Sequence, residues 1–173
     1  MFEISECLGV YMKIVTADLN RCVGCRNCEW ACAFSRTGDF RSNQSNITVD
    51  LYPENRFVVT LTCVHCETPF CLRICVRQAL KRDPRTNAVV VDEERCIGCR
   101  MCMQVCPFGN IYLDPGKRVV RKCNLCEGEP KCIRFCMTKA LDFVDTKDLP
   151  SKRRRAVDQW LRRSASTGLG DDR

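Results

Sequence analysis

Sixteen of the 17 cysteines fall into four groups of four, at spacings that suit the ligands of iron–sulfur clusters. The groups are Cys22-x2-Cys25-x2-Cys28-x3-Cys32, Cys63-x2-Cys66-x4-Cys71-x3-Cys75, Cys96-x2-Cys99-x2-Cys102-x3-Cys106-Pro107 and Cys123-x2-Cys126-x5-Cys132-x3-Cys136. The third follows the C-x2-C-x2-C-x3-C-P run without deviation. Four such groups predict four [4Fe–4S] clusters in a chain of 173 residues, and that makes electron transfer the leading reading.

The chemistry explains the spacing. Three thiolates placed three residues apart let one tight loop wrap three corners of a cubane while backbone N–H groups face its sulfides. The last cysteine of each group lies further on, at the start of what reads as a helix, and in two-cluster ferredoxins it ligates the other cluster of a pair. Structural zinc also uses C-x2-C pairs, but closes a site with two pairs. Groups one and three each place three cysteines in a seven-residue window, one more than a zinc knuckle needs. A disulfide framework suits a small secreted chain. The N-terminal stretch MFEISECLGVYMKIV has no basic n-region, long apolar run, A-x-A site or twin-arginine signal, so a cytoplasmic protein is expected. Cys7 has no partner at ligand spacing and reads as a spare thiol.

Charge argues against nucleic acid. The formal net charge is +7, but an oxidised cluster with four thiolates carries about −2, so four of them bring the loaded chain to about −1. Residues 150–173 hold seven Lys/Arg against three Asp, which leaves the loaded body at about −5. Aromatics make up only 8% and the apolar runs are short, so no transmembrane span is expected.

Motif and connector recur four times along the chain. Met12–Ala17 reads as a strand into the first loop, with Met12 a possible natural start, and Glu29–Phe34 as a short helix. The 30 residues between Cys32 and Cys63 close with two β-type runs, Ile47–Tyr52 and Phe57–Thr62, joined by Pro53-Glu54-Asn55. Ala79-Leu80 is expected to close a helix after Cys75, and Ala140-Leu141 one after Cys136. Ala88–Val91 and Phe143-Val144 read as strands. Ile111–Leu113, the turn Asp114-Pro115-Gly116 and Arg118–Arg121 read as a hairpin. Past Pro150, Ser151 is placed to cap a helix with Ala156, Val157, Trp160 and Leu161 at helical spacing among arginines. The expected fold class is α+β: two ferredoxin-like units, each holding two clusters, with a C-terminal helix. The expected domains are an N-terminal extension (1–11), a four-cluster domain (12–145, with 12–45 plus 107–145 and 46–106 as its units) and a basic C-terminal helix and tail (146–173).

Taken in order, the motifs, and above all TCVHCETPFCLRIC and KCNLCEGEPKCIRFC, resemble those of the four-cluster iron–sulfur subunits of modular redox enzymes. That family accompanies molybdenum and tungsten oxidoreductases, formate dehydrogenases, hydrogenases and carbon monoxide dehydrogenases. The resemblance covers about residues 13–145. The short gap between Cys126 and Cys132 is more similar to the hydrogenase, carbon monoxide dehydrogenase and aldehyde oxidoreductase carriers than to the dimethyl sulfoxide or nitrate reductase subunits. In the family a proline often follows the last cysteine of a group; here only Cys106 has it, and Ala33, Val76 and Met137 follow the others. That departure is expected to alter local stiffness and leave ligation intact. The resemblance implies that Cys22, Cys25 and Cys28 share a cluster with Cys136, and Cys123, Cys126 and Cys132 with Cys32. It likewise completes Cys63, Cys66 and Cys71 with Cys106, and Cys96, Cys99 and Cys102 with Cys75. Sequential pairing of the groups is the alternative.

The expectation is therefore an electron-transfer subunit between a catalytic oxidoreductase subunit, best a tungsten-dependent aldehyde oxidoreductase, and a flavin- or ferredoxin-type partner. The alternatives are a diffusing polyferredoxin, a subunit of a carbon monoxide dehydrogenase, hydrogenase or formate dehydrogenase, and a maturation factor. Self-association into a filament is a further expectation, with the Arg-rich helix meeting an acidic body. No catalytic site is expected: there is no G-x-G-x-x-G and no P-loop, and Glu93-Glu94 reads as a solvated turn. His65, the only histidine, reads as a hydrogen-bonding neighbour of a cluster and not as a ligand.

Overall fold

The computed structural model describes residues 12–55, 57–114 and 116–149. The extension 1–11 with Cys7, and the C-terminal helix through Trp160, lie outside the described residues. Strand β1 (Lys13–Ala17) leads into the first cysteine loop and helix α1 (Asn27–Thr37). Then come β2 (Thr48–Tyr52) and β3 (Phe57–Leu61), α2 (Phe70–Arg73), β4 (Leu80–Arg82) and β5 (Val89–Val91). After these follow α3 (Met101–Gln104), β6 (Tyr112–Leu113), β7 (Val120–Arg121), α4 (Lys131–Arg134) and β8 (Leu141–Asp145). The strands form four antiparallel pairs, β1–β8, β2–β3, β4–β5 and β6–β7. Sequence neighbours make three of them. The fourth closes the molecule, from Lys13 opposite Asp145 to Ala17 opposite Leu141.

The expected hairpins are present, with β-branched runs forming the strands and Pro53–Asn55 a short 3-10 turn between β2 and β3. Two helix expectations are corrected. Ala79-Leu80 and Ala140-Leu141 do not close helices, because Leu80 and Leu141 open β4 and β8. Nor does the last cysteine open a helix. In every group the helix begins one residue before the third cysteine, and Cys75, Cys106 and Cys136 stand beyond its end. The physical reason is a turn: Gln78, Gly109 and Lys139 have positive φ (50°, 63° and 52°) and return their N–H to the carbonyl of Cys75, Cys106 and Cys136 at 2.9, 3.2 and 3.1 Å. The same turn follows Val76, Pro107 and Met137, so it does not depend on the proline. Group one differs because α1 runs on to Thr37 before Gly38 (φ 71°) caps it. Ala33, fully buried inside that helix, is a position where proline would break the hydrogen-bond ladder.

Two cores result. Val15, Leu125 and Leu141 pack with Cys28 and Cys132 in the first, and Leu80, Ile111 and Val120 with Cys102 in the second. The packing crosses the expected unit boundaries: Ile47, Val49 and Ala88 join the first core, and Ile111 and Val120 join the second. Helix α1 lies against α4, and α2 against α3. Groups one and three are each entered from a strand (β1, β5), and groups two and four each leave into one (β4, β8). No described helix is long and apolar enough to cross a membrane.

Candidate metal centres

Three cavities are each lined by four cysteines, three from one loop and the fourth from another. Cys63, Cys66, Cys71 and Cys106 line a cavity of about 420 Å³, partly open to solvent. Cys96, Cys99 and Cys102 meet Cys75 around one of about 350 Å³, and Cys123, Cys126 and Cys132 meet Cys32 around one of about 410 Å³. Cys22 and Cys25 lie close enough to Cys28 to push its thiol up, and Cys136 packs on the core that holds Cys28. Among the described residues no three His, Cys, Asp or Glu side chains converge tightly enough for a single metal ion. A cubane, whose ligands stand apart at its corners, asks for quartets of thiols around one cavity, and the residues present fit that.

Local sequence shapes the loops by repetition. Groups one and three share C-x-G-C-R, and in both the glycine and the arginine are left-handed: Gly24 and Gly98 at φ 70° and 66°, Arg26 and Arg100 at φ 61° and 65°. Groups two and four share a different device. The residue before the second cysteine, His65 or Leu125, is left-handed (φ 46° and 57°) and only 1% exposed. The longer gap of group four is taken up by Cys126, Glu127 and Gly128, all at positive φ.

Backbone N–H groups already face the sulfurs. Ala79 donates to Cys75 Sγ and Ala140 to Cys136 Sγ, each four residues on, at 3.3 and 3.2 Å. For Cys32 the donor is Asn46 N, 14 residues on, at 3.3 Å. Asn46 thus takes the place that the fourth residue holds in groups two and four, and ten extra residues (the rest of α1 and the turn at Ser42–Gln44) loop out between. Leu125 N donates to Cys123 Sγ and Val120 N to Cys96 Sγ. Burial, with Glu29 beside it, pushes the Cys28 thiol up to about 12, and burial pushes Cys123 to about 12 and Cys102 to about 11. At Cys136 burial also raises, but the N–H groups of Leu141, Ala140 and Thr138 and the Thr138 hydroxyl hold the thiol below its ordinary range. Only a metal makes thiolates of the raised ones near neutral pH, and loading displaces their protons.

Several supporting residues carry no motif, and sequence reading missed them. Arg82 donates to the carbonyls of Cys66 and Glu67 at 2.7 Å each, pinning the second loop. Buried Arg121 donates to the Asn43 and Ser45 carbonyls and to Asn46 Oδ1, and lies 4.9 Å over the Tyr112 ring. Glu29 Oε1 accepts from Val49 N at 2.7 Å, tying α1 to β2. Lys122, 6% exposed, lines the Cys63 cavity although it precedes Cys123. The one legible signal was the repeated Asn-Ile pair, Asn46-Ile47 and Asn110-Ile111. As expected, Glu93 and Glu94 are exposed, with Glu93 paired to Lys117 at 2.7 Å.

Comparison with known proteins adds a family and relatives. Residues 55–146, which include groups two, three and four, match the 4Fe-4S dicluster domain. The chain is 40% identical over 135 residues to the polyferredoxin-like subunit of aliphatic sulfonate oxidoreductase from Pyrococcus furiosus, covering 78% of this chain and 74% of that one. It is 34% identical over 154 residues to one of the chains of anaerobic dimethyl sulfoxide reductase from Escherichia coli, at 78% and 74% coverage. With one of the subunits of sulfite dehydrogenase from Allochromatium vinosum it shares 30% over 166 residues, at 78% and 69%.

Proposed function

The chain belongs to the 4Fe-4S dicluster domain family, and on that footing we propose that it is a linear wire of four [4Fe–4S] centres in an oxidoreductase complex. It joins a catalytic subunit to a second, flavin- or ferredoxin-type redox partner. The observation that carries this is the set of cysteine quartets, three around one cavity each, that pair group two with three and group four with one. In this reading two ferredoxin-like units hold two clusters each, and Cys22, Cys25 and Cys28 are completed by Cys136. Each cluster supplies a one-electron couple, tuned by hydrogen bonds and exposure.

Adjacency supports an order: α1 lies against α4 and α2 against α3, while Thr62 lines the Cys123 cavity and Lys122 the Cys63 cavity. The centres then run from the Cys22 quartet through the Cys123 and Cys63 quartets to the Cys96 quartet. Cys25 and Cys99, the two exposed ligands, stand at the ends, where partners can approach. The chain's own residues hold the thiolates and donate N–H groups to sulfur. No residue of this wire need act on a substrate.

Anaerobically purified protein should hold about sixteen iron and sixteen sulfide and give EPR signals from four interacting centres on reduction. About eight iron, or zinc in its place, would overturn the reading. For the partner, the compact fourth motif supports a tungsten-dependent aldehyde oxidoreductase. A second reading is an oxidoreductase of sulfur compounds, favoured by relatives that serve a sulfonate oxidoreductase, a sulfite dehydrogenase and a dimethyl sulfoxide reductase. Metal and substrate analysis of the complex that co-purifies with the chain decides between them. A filament built through residues 150–173 belongs to the same proposal; assemblies unchanged by deleting that segment would sink it.

A further inference from the structure

The repeat that relates group two to group four sets up a comparison inside one molecule. Thr62-Cys63-Val64-His65-Cys66 and Lys122-Cys123-Asn124-Leu125-Cys126 occupy equivalent places. The carbonyls of Thr62 and Lys122 accept from Asn110 and Asn46, and His65 and Leu125 share the same buried, left-handed position. The side chains differ at three points: at one, Val64 stands where Asn124 accepts from Cys126 N at 3.0 Å, and the other two alter the charge and the donors available to a cluster. His65 carries N–H where Leu125 is apolar, and Lys122 carries a charge where Thr62 has none.

Both exceptional side chains line one cavity, that of Cys63, Cys66, Cys71 and Cys106. They are pinned by the two sides of a single residue. Val89 N donates to His65 Nδ1 at 3.1 Å, and Lys122 Nζ donates to Val89 O at 2.6 Å. Because Nδ1 accepts, the ring proton sits on Nε2, and Nε2 is buried with no partner in the protein. Lys122 makes no carboxylate ion pair among the described residues. A buried donor and a buried cation without counter-charge are costly unless something electron-rich faces them.

We propose that His65 and Lys122 form a tuning pair for the cluster of the Cys63 quartet, His65 donating a hydrogen bond from Nε2 and Lys122 holding a fixed positive charge beside it. Reduction adds one electron and no proton to this site. Both groups stabilise the added negative charge, so the site has a higher reduction potential than its repeat-related neighbour in the Cys123 quartet. An electron crossing the wire then rests between the two ends. This inference builds on the four-centre reading, and iron content separates the two: low iron is a failure of that reading, and full iron with unaltered potentials a failure of this one.

The test is an EPR-monitored redox titration of the anaerobically purified full chain. Lys122→Gln and His65→Leu, the latter borrowing the residue used in group four, should both lower the midpoint of the same single centre. The expected change is at least a tenfold loss in its equilibrium constant for reduction, about 59 mV for a one-electron couple. Lys122→Arg should keep the wild-type value. Unmoved midpoints at full iron, or equal shifts of all four centres, would overturn the proposal. Should a variant load poorly, the wild-type protein still decides. His65 is the only histidine, so growth on 15N-histidine labels one ring. Pulsed EPR of the reduced protein should show a weak 15N coupling to one centre. No coupling, or the strong coupling of a direct iron ligand, would refute the hydrogen bond.

Discussion

Asn46 and Asn110 make the same hydrogen bond in the two halves of the molecule. Asn46 Nδ2 donates to the carbonyl of Lys122 at 2.9 Å, and Asn110 Nδ2 to that of Thr62 at 2.7 Å. Each accepting residue stands just before the first cysteine of a group, and each asparagine is only 2% exposed. The pair therefore fixes where the fourth and second loops begin.

Asn110→Asp keeps the shape but sets a carboxylate oxygen against the Thr62 carbonyl. It should cost on the order of 1–3 kcal/mol and loosen the second loop. Asn46→Asp should cost less, because Arg121 already donates to its Oδ1 at 2.9 Å and welcomes a negative charge. Denaturant midpoints of the loaded proteins check the order.

Ligand exchange between groups is testable by iron counting. Cys32→Ala should remove about four iron atoms, and adding Cys123→Ala should remove no more, because both side chains serve one cavity. Cys32→Ala with Cys63→Ala should remove about eight. If that double variant instead loses only the iron of one cluster, groups one and two pair sequentially.

The two loop glycines should respond differently to alanine. Both need a left-handed backbone, at φ 66° for Gly98 and 70° for Gly24. A Cβ on Gly98 would run into the backbone carbonyl of Arg118, which cannot step aside, whereas on Gly24 it meets the flexible end of Leu51. Gly98→Ala should lose the Cys96 cluster or fail to fold; Gly24→Ala should stay loaded at a cost of about 1 kcal/mol or more. Iron content and melting temperature report both.

Chelating the iron should unfold the chain. Helices α2, α3 and α4 have four residues each, far below the roughly 12–15 residues at which an isolated helix is even marginal, and cysteines stand in both cores. Far-UV circular dichroism should fall in step with iron loss. Protons compete with iron for thiols that burial has pushed up, such as Cys28 and Cys123, so loss should quicken as pH falls.

Much of the site was legible because a cubane demands thiols at fixed short spacings, and that demand shows in a single strand of letters. The strands were legible for a similar reason: runs such as Phe57–Leu61 and Val89–Val91 are β-branched and bounded by turn residues. The helices after Cys75 and Cys136 were misread because Leu80 and Leu141 suit a helix as well as a strand. The left-handed turn at Gln78 and Lys139, residues with no marked preference for it, decided the matter.

Cysteine spacing alone thus settled the cofactor type, the number of ligand groups and the electron-transfer class, since those depend on neighbours a few residues apart. Which cysteine faces which cavity, which thiols are exposed, and where Lys122 and His65 meet depend on contacts tens of residues apart. Lys122 precedes Cys123 yet lines the cavity of Cys63, because the paired strands and the Val89 peptide turn its side chain there. No local pattern encodes such a crossing; only the packed fold brings its partners together.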